Sequence, residues 1–133
     1  MSAAETSAIR DYVLPFSCLS IDDVAVVGGK NASLGEMIGS LAQAGLRVPG
    51  GFATTADAYR EFLRQDGLDA RIAKALKALD VEDVAALTTT GKQIRAAILA
   101  TRFPPELERA VLAALERMDS ERADRRVPLA VAV

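Results

Sequence analysis

The sequence predicts a helix-rich α+β fold with a few short strands and about five helices. Half of the 133 residues are hydrophobic but only 5% are aromatic, and alanine and leucine dominate, which favours helices. Apolar residues recur at helical spacing through most of the chain. Glycine and proline clusters separate these stretches from short extended segments, so a small amount of sheet is expected as well.

The domain organisation follows from how these patterns are distributed. Residues 1–10 are small and polar and predict a disordered tail, whereas residues 11–133 predict one folded domain with a helical subregion at about 68–118. Residues 127–133 form a continuous apolar run, which is typical of a strand buried on both faces. Because a partner element normally follows such a strand, we expect the chain to be cut short there.

The first third of the domain predicts a strand, a turn and a helix. Residues 12–14 form a short strand that Pro15 closes, and residues 20–23 have capping-box spacing, which predicts a brief helical turn. A helix is then expected from about Asn31 to Gly45, since glycine commonly ends a helix in the left-handed conformation. The apolar face of this helix is predicted to consist of Leu34, Met37, Ile38 and Leu41.

A second strand and helix follow the Pro-Gly-Gly turn at residues 49–51. Residues 51–54 predict the strand, and the capping-box spacing from Thr54 to Asp57 predicts a helix that Gly67 ends. The apolar side of this helix is predicted to consist of Tyr59, Phe62 and Leu63.

The helical subregion predicts three further helices. One covers residues 69–79, and residues 80–83 open a longer one. A break or kink is expected in it at 88–91, because threonine and glycine are poor helix formers. The third starts at the proline pair 104–105, where a missing N–H costs nothing. Its buried stripe is predicted to consist of Leu107, Val111, Ala114, Leu115 and Met118. Residues 119–126 predict a solvated charged linker.

Composition excludes several classes of function. A net charge of −2 gives no support to a nucleic-acid surface. The absence of histidine excludes a Ser-His-Asp or Cys-His site, a phosphohistidine and a histidine-ligated metal within this chain. The single cysteine, Cys18, cannot form an internal disulfide and is predicted to be a small buried hydrophobe. No signal peptide or membrane span is recognisable, so a cytoplasmic protein is expected.

The candidate site is Gly28, Gly29 and Lys30, between a short apolar run and a helix. The glycines allow a sharp turn and the close approach of a ligand. The helix start carries unpaired N–H groups and a partial positive charge, to which Lys30 adds a full charge. These features favour a phosphate. An ordinary turn with its lysine in water is the alternative, because neither the P-loop nor the G-x-G-x-x-G spacing is present.

Two blocks in this sequence resemble a known family. GGKNASLGEM at residues 28–37 and VPGGFATTADAY at residues 48–59 resemble the N-terminal region of the phosphoenolpyruvate synthase (pyruvate, water dikinase) family. The first block is also similar to that of the related pyruvate phosphate dikinases. The resemblance covers roughly residues 11–118, and two blocks in the right order are far more specific than Gly-Gly-Lys alone.

The resemblance implies an ATP-grasp-like nucleotide-binding domain, of which this chain would be an incomplete lobe. It further implies magnesium, and ATP, pyruvate and water as substrates, with AMP, phosphoenolpyruvate and phosphate as products. The family lysine that matches Lys30 contacts the ATP phosphates; Gly28 and Gly29 are a weaker assignment. The expected partners are ATP and the rest of the parent enzyme, namely a second ATP-grasp lobe, a phosphohistidine domain and a pyruvate-binding barrel.

The chain departs from the family pattern after Val133, because the family strand continues into Arg-Ser-Ser and a phosphate loop. The leading hypothesis is therefore an N-terminal fragment that forms one wall of the ATP site and is inactive alone. The alternatives are a stand-alone nucleotide- or protein-binding module without catalysis, and a helical structural piece without a ligand.

Overall fold

The computed structural model describes residues 11–46 and 48–121. Three predictions lie outside these residues: the tail at 1–10, the strand at 127–133 and the part of the charged linker beyond Glu121. The linker was predicted to begin at residue 119, but Asp119 and Ser120 belong to the last helix.

The described residues form a helix-rich α+β arrangement, as predicted. Two short strands, β1 (Val13–Pro15) and β2 (Phe52–Thr54), accompany six α-helices, of which the first is a single turn. Turns of 3₁₀ helix cover Phe16–Cys18, Ile21–Asp23 and Gln65–Gly67. The helices are α1 (Val24–Val27), α2 (Gly29–Gln43), α3 (Ala56–Arg64), α4 (Leu68–Lys77), α5 (Val84–Ala100) and α6 (Pro105–Ser120).

The two strands pair antiparallel, with Leu14 opposite Ala53 and Pro15 opposite Phe52. Pro15 is thus the last residue of β1. Proline lacks an N–H, but the next residue, Phe16, donates its own to the Gly51 carbonyl at 2.9 Å and so continues the pairing. This small sheet ties the N-terminal segment to the chain that follows α2.

A small core holds α2 against the sheet and the turns before it. Leu19, Val27, Ala32 and Ala53 are buried together, with Leu14 and Phe16 packed against them. The buried residues of α2 are Ala32 and Gly35, whereas Met37 of the predicted face is 43% exposed. The buried positions of α2 hold small residues because Leu19 lies very close to the helix. A Cβ on Gly35 would be 2.5 Å from the Leu19 Cβ.

Local capping signals define both ends of the α1–α2 region. The predicted capping box is confirmed: the Ser20 N–H donates to the Asp23 carboxylate at 2.8 Å, and the Ser20 hydroxyl accepts from the Asp22 N–H at 3.3 Å. At the end of α2, Gly45 has φ +75°. The N–H groups of Gly45 and Leu46 donate to the carbonyls of Ala42 and Leu41, which is the Schellman arrangement.

The start and end of α3 differ from the prediction. The N-cap is Thr55, not Thr54, and its hydroxyl accepts from the Ala58 N–H at 3.2 Å. The same hydroxyl donates to the Asp11 carbonyl at 2.8 Å, a contact that only the folded chain supplies. The helix ends at Arg64, and Gly67 (φ +66°) instead precedes α4, whose first residue, Leu68, is fully buried.

The last two helices give one correction and one confirmation. The break predicted at residues 88–91 is wrong, since α5 runs without interruption. The Thr88 hydroxyl donates to the Val84 carbonyl at 2.9 Å, which satisfies its polar group within the helix. Helix α6 starts with Pro105 as predicted, and Leu107 and Ala114 of its expected stripe are buried.

Candidate functional site

The predicted corner is a sharp turn at Gly28, between α1 and α2. Gly28 has φ +82° and ψ 159°, a backbone conformation that is essentially restricted to glycine. Its N–H donates to the Val24 carbonyl at 2.8 Å and closes α1. Its carbonyl accepts the Ala32 N–H at 3.0 Å and opens α2. One residue therefore ends one helix and caps the next.

Gly29 and Lys30 lie inside α2, which begins two residues earlier than predicted. Gly29 is helical, so of the two glycines only Gly28 needs its conformational freedom. Within residues 11–46 and 48–121, no heavy atom of another segment lies within 4 Å of where a Cβ on Gly29 would be. The surface beside the turn is consequently open.

The corner has a buried base and an exposed tip. Val27, just before the turn, is 7% exposed, and Ala32, four residues after it, is 0% exposed; both belong to the core cluster. The tip consists of Gly28, Gly29 and Lys30, which lie between those two residues in the sequence and are all exposed. The core thereby fixes the position of the turn, while its tip remains accessible to a ligand.

The electrostatics of the tip suit an anion. Ala32 is the first residue of α2 whose N–H donates to a carbonyl of the turn. The N–H groups of Gly29, Lys30 and Asn31 precede it and have no carbonyl within the helix to bond. Those groups carry the positive end of the helix dipole, and Lys30 adds a full charge in the same turn.

Two further side chains brace the corner, and neither was identified from the sequence. The Asn31 side-chain amide donates to the Val27 carbonyl at 2.8 Å, across the Gly28 turn. The Glu36 carboxylate accepts the Ile21 N–H at 3.2 Å and links α2 to the turn before α1. Only Asn31 has a signal in the sequence that could have indicated its role: it is a side-chain donor three positions after the turn glycine, Gly28.

Other candidate features lie elsewhere. Cys18 is exposed, which corrects the predicted burial, because it ends an exposed 3₁₀ turn rather than facing the core. Among residues 11–46 and 48–121, no three Cys, Asp or Glu residues are placed to hold a metal ion. An apolar cavity of about 520 Å³ lies beside the second half of α2, and Ile38 in its lining is ~12 Å along the helix from Lys30.

Substituting the two glycines separately tests this geometry. We expect Gly28→Ala to lower the free energy of unfolding by about 2 kcal/mol, because alanine is strained at this φ and ψ. Gly29→Ala meets open space in a helix and should leave stability unchanged or raise it by up to about 1 kcal/mol. Urea unfolding of both variants measures the difference; equal effects would contradict the observed turn.

Comparison with known proteins assigns the chain to a family. Residues 24–133 match the family model for the pyruvate phosphate dikinase AMP/ATP-binding domain. The chain therefore belongs to this family of nucleotide-binding domains. The matched segment begins at α1 and includes the whole Gly28–Lys30 corner.

Within that family, the similar curated proteins are phosphoenolpyruvate synthases, which confirms the resemblance found in the sequence. The chain is 53% identical to the phosphoenolpyruvate synthase of Neisseria meningitidis serogroup B over 121 residues, which are 91% of this chain and 15% of that protein. Identity to the Pseudomonas aeruginosa enzyme is 59% over 98 residues, or 74% of this chain and 12% of that protein. The Escherichia coli K12 enzyme is 49% identical over 109 residues, or 82% of this chain and 14% of that protein.

The chain is thus homologous to one part of much longer proteins, the AMP/ATP-binding domain of phosphoenolpyruvate synthase, and spans about 15% or less of the length of these three relatives. A separate finding concerns membranes: within the described residues, none of the helices has both the length and the apolar character needed to cross a bilayer.

Proposed function

We propose that this chain forms one wall of the ATP site in a longer cytoplasmic phosphotransferase, a phosphoenolpyruvate synthase. The reaction of that enzyme converts ATP, pyruvate and water to AMP, phosphoenolpyruvate and phosphate. The chain is an incomplete ATP-grasp-like lobe and is inactive alone. The observation that carries the proposal is an exposed lysine in the first turn of α2, within a segment that matches an AMP/ATP-binding domain.

In this proposal Lys30 contacts the phosphates of ATP, and the backbone of Gly28 and Gly29 lies against them. A lysine at this position would neutralise negative charge on the phosphoryl group as it is transferred. The helix start would add N–H donors and a favourable dipole. The exposed glycines support the assignment, since the absence of a side chain lets the phosphates approach the backbone closely.

Magnesium belongs to the proposed function through the resemblance, as the metal that accompanies ATP. The part of the chain that the structure describes offers no cluster of carboxylates for it. No step of the proposal is therefore assigned to a metal ion held by these residues. What they contribute is a cation and backbone donors for the phosphate oxygens.

Exposed apolar side chains support the expected partner, the rest of the parent enzyme. Helix α5 has no buried residue, and on it Val84 is 72% and Leu99 86% exposed. Apolar surface of this kind marks interaction sites on proteins. We propose that the rest of the parent enzyme covers it.

Titration of Mg-ATP into the chain, followed by amide NMR, tests the phosphate assignment. Because one lysine–phosphate contact contributes about 1.5–3 kcal/mol, we expect millimolar affinity or no detectable binding. Where binding is detected, the shift changes should be centred on Gly28 to Ala32. Lys30→Ala should abolish these changes. Lys74→Ala removes another exposed lysine, from α4, and is the matched control.

The result that would overturn the proposal is equally specific. Micromolar binding that survives Lys30→Ala, or shift changes confined to another element such as α5, would place the nucleotide elsewhere. A loss of binding in both lysine variants alike would indicate a general effect of net charge rather than a contact at Lys30.

A further inference from the structure

We infer that Asn31 is a positioning residue of the proposed phosphate corner: its side-chain amide holds the Val27 carbonyl and thereby fixes the Gly28 turn. The inference rests on the proposed function for the identity of the ligand. It goes beyond that function by naming a residue, other than the phosphate-contacting lysine, on which the geometry of the corner depends.

The structural reason lies in the break between α1 and α2. In an uninterrupted helix, the Asn31 backbone N–H would donate to the carbonyl four residues earlier, which is that of Val27. The backbone of Gly28 turns away from helical values and interrupts this ladder. The Val27 carbonyl instead accepts the Asn31 side chain, Nδ2 to O at 2.8 Å.

Burial makes this substitute bond important. Val27 is only 7% exposed and Asn31 is half-buried, and a carbonyl in such surroundings is costly to leave without a donor. The bond also joins Val27, the last residue of α1, to Asn31 in the first turn of α2. Together with the bond from the Ala32 N–H to the Gly28 carbonyl, it links the two helices at the point where the exposed tip begins.

The consequence for a ligand concerns the backbone of Asn31. Because the break at Gly28 separates the Asn31 backbone N–H from the Val27 carbonyl, this N–H lies in the first turn of α2 beside those of Gly29 and Lys30. Asn31 thus has a double role: its side chain holds the turn from below, and its N–H belongs to the set that faces an anion at the helix start.

Three variants test the inference. Asn31→Ala removes the donor, and Asn31→Gln retains an amide that is longer by one methylene. Ser33→Ala removes an exposed polar group from the same stretch of α2 and is the matched control. Two readouts are needed: native-state hydrogen exchange at the Gly28 and Ala32 amides, and the affinity for Mg-ATP measured by NMR.

We expect Asn31→Ala to speed exchange at Gly28 and Ala32 by about fivefold to tenfold through local opening of the corner, while amides in α6 keep their rates. The same variant should weaken Mg-ATP binding by about fivefold. Asn31→Gln should restore part of both effects, and Ser33→Ala should produce neither.

The outcomes separate this inference from the proposed function. Unchanged exchange at Gly28 and Ala32 in Asn31→Ala would overturn the positioning role whatever happens to ATP. Faster exchange with unaltered Mg-ATP affinity, in a chain that loses binding with Lys30→Ala, would show a structural bond and also overturn it. Binding that persists in Lys30→Ala would instead refute the proposed site, and in a chain without a detectable Mg-ATP response the exchange rates alone decide the positioning role.

Discussion

Gly35→Ala should lower the free energy of unfolding by about 3 kcal/mol, although alanine is normally the better helix residue. A Cβ at this position would lie 2.5 Å from the Leu19 Cβ, 2.6 Å from the Leu19 carbonyl oxygen and 2.8 Å from the Leu19 carbonyl carbon. Two of these atoms are backbone, so rotation of a side chain cannot relieve the contact. Either α2 or the segment around Leu19 has to move, and both belong to the core that carries the Gly28 corner.

Gly39→Ala provides the matched control on the same helix. In the part of the chain that the structure describes, no heavy atom of another segment lies within 4 Å of a Cβ at Gly39, and the position is exposed. We expect this variant to be more stable than the wild type by up to about 1 kcal/mol, because alanine favours the helix. Urea unfolding measures the free energy of unfolding of both variants, provided that its dependence on urea concentration has the same slope as in the wild type. Similar gains in the two variants would show that α2 does not pack against Leu19 this closely.

The same position shows why the core was harder to predict than the secondary structure. Hydrophobic periodicity gives weight to large apolar side chains, and it selected Leu34, Met37, Ile38 and Leu41 as the apolar face of α2. In the structure Leu34, Ile38 and Leu41 are half-buried and Met37 is exposed. The fully buried residues are Ala32 and Gly35, because another segment approaches α2 closely. Close approach is a property of two segments together, and a periodicity within one helix does not contain it.

Local signals were informative wherever the stabilising group lies within a few residues. The capping box at Ser20, the glycine that ends α2 and the proline that opens α6 were all confirmed. The cap of α3 was wrong by one residue because Thr54 has the capping-box spacing to Asp57, whereas the residue three positions after Thr55 is Ala58. The choice falls on Thr55 through its bond to the Asp11 carbonyl, 44 residues away along the chain.

The candidate site follows the same division. Gly28, Gly29 and Lys30 were predicted as a candidate site because a glycine turn, a cation and a helix start are adjacent in the sequence. The bond from Asn31 to Val27 was not identified, since an asparagine at this position could equally face water. Its partner is determined by the Gly28 backbone, whose φ of +82° and ψ of 159° direct the following backbone away from the Val27 carbonyl and leave that carbonyl to the Asn31 side chain.

The substitution Lys30→Ala should have the largest effect on function, and a chimera of this chain with a relative allows that effect to be measured. We expect that a chimera in which these residues replace the aligned segment of the Neisseria meningitidis enzyme retains phosphoenolpyruvate synthase activity, since 53% of the 121 aligned residues are identical. Lys30→Ala in that chimera should reduce kcat/KM for ATP by about 100-fold or more, the loss typical when a group that stabilises developing charge is removed.

Two companions make the result interpretable. Lys74→Ala removes an exposed lysine of α4 and should leave the rate near that of the chimera, which excludes a general effect of charge. Lys30→Arg retains the positive charge but replaces a compact ammonium with a planar group, so it should recover only part of the lost rate. A Lys30→Ala chimera with unchanged kcat/KM would reduce Lys30 to a surface lysine, because an exposed cation that touches no phosphate has no charge on the substrate to stabilise.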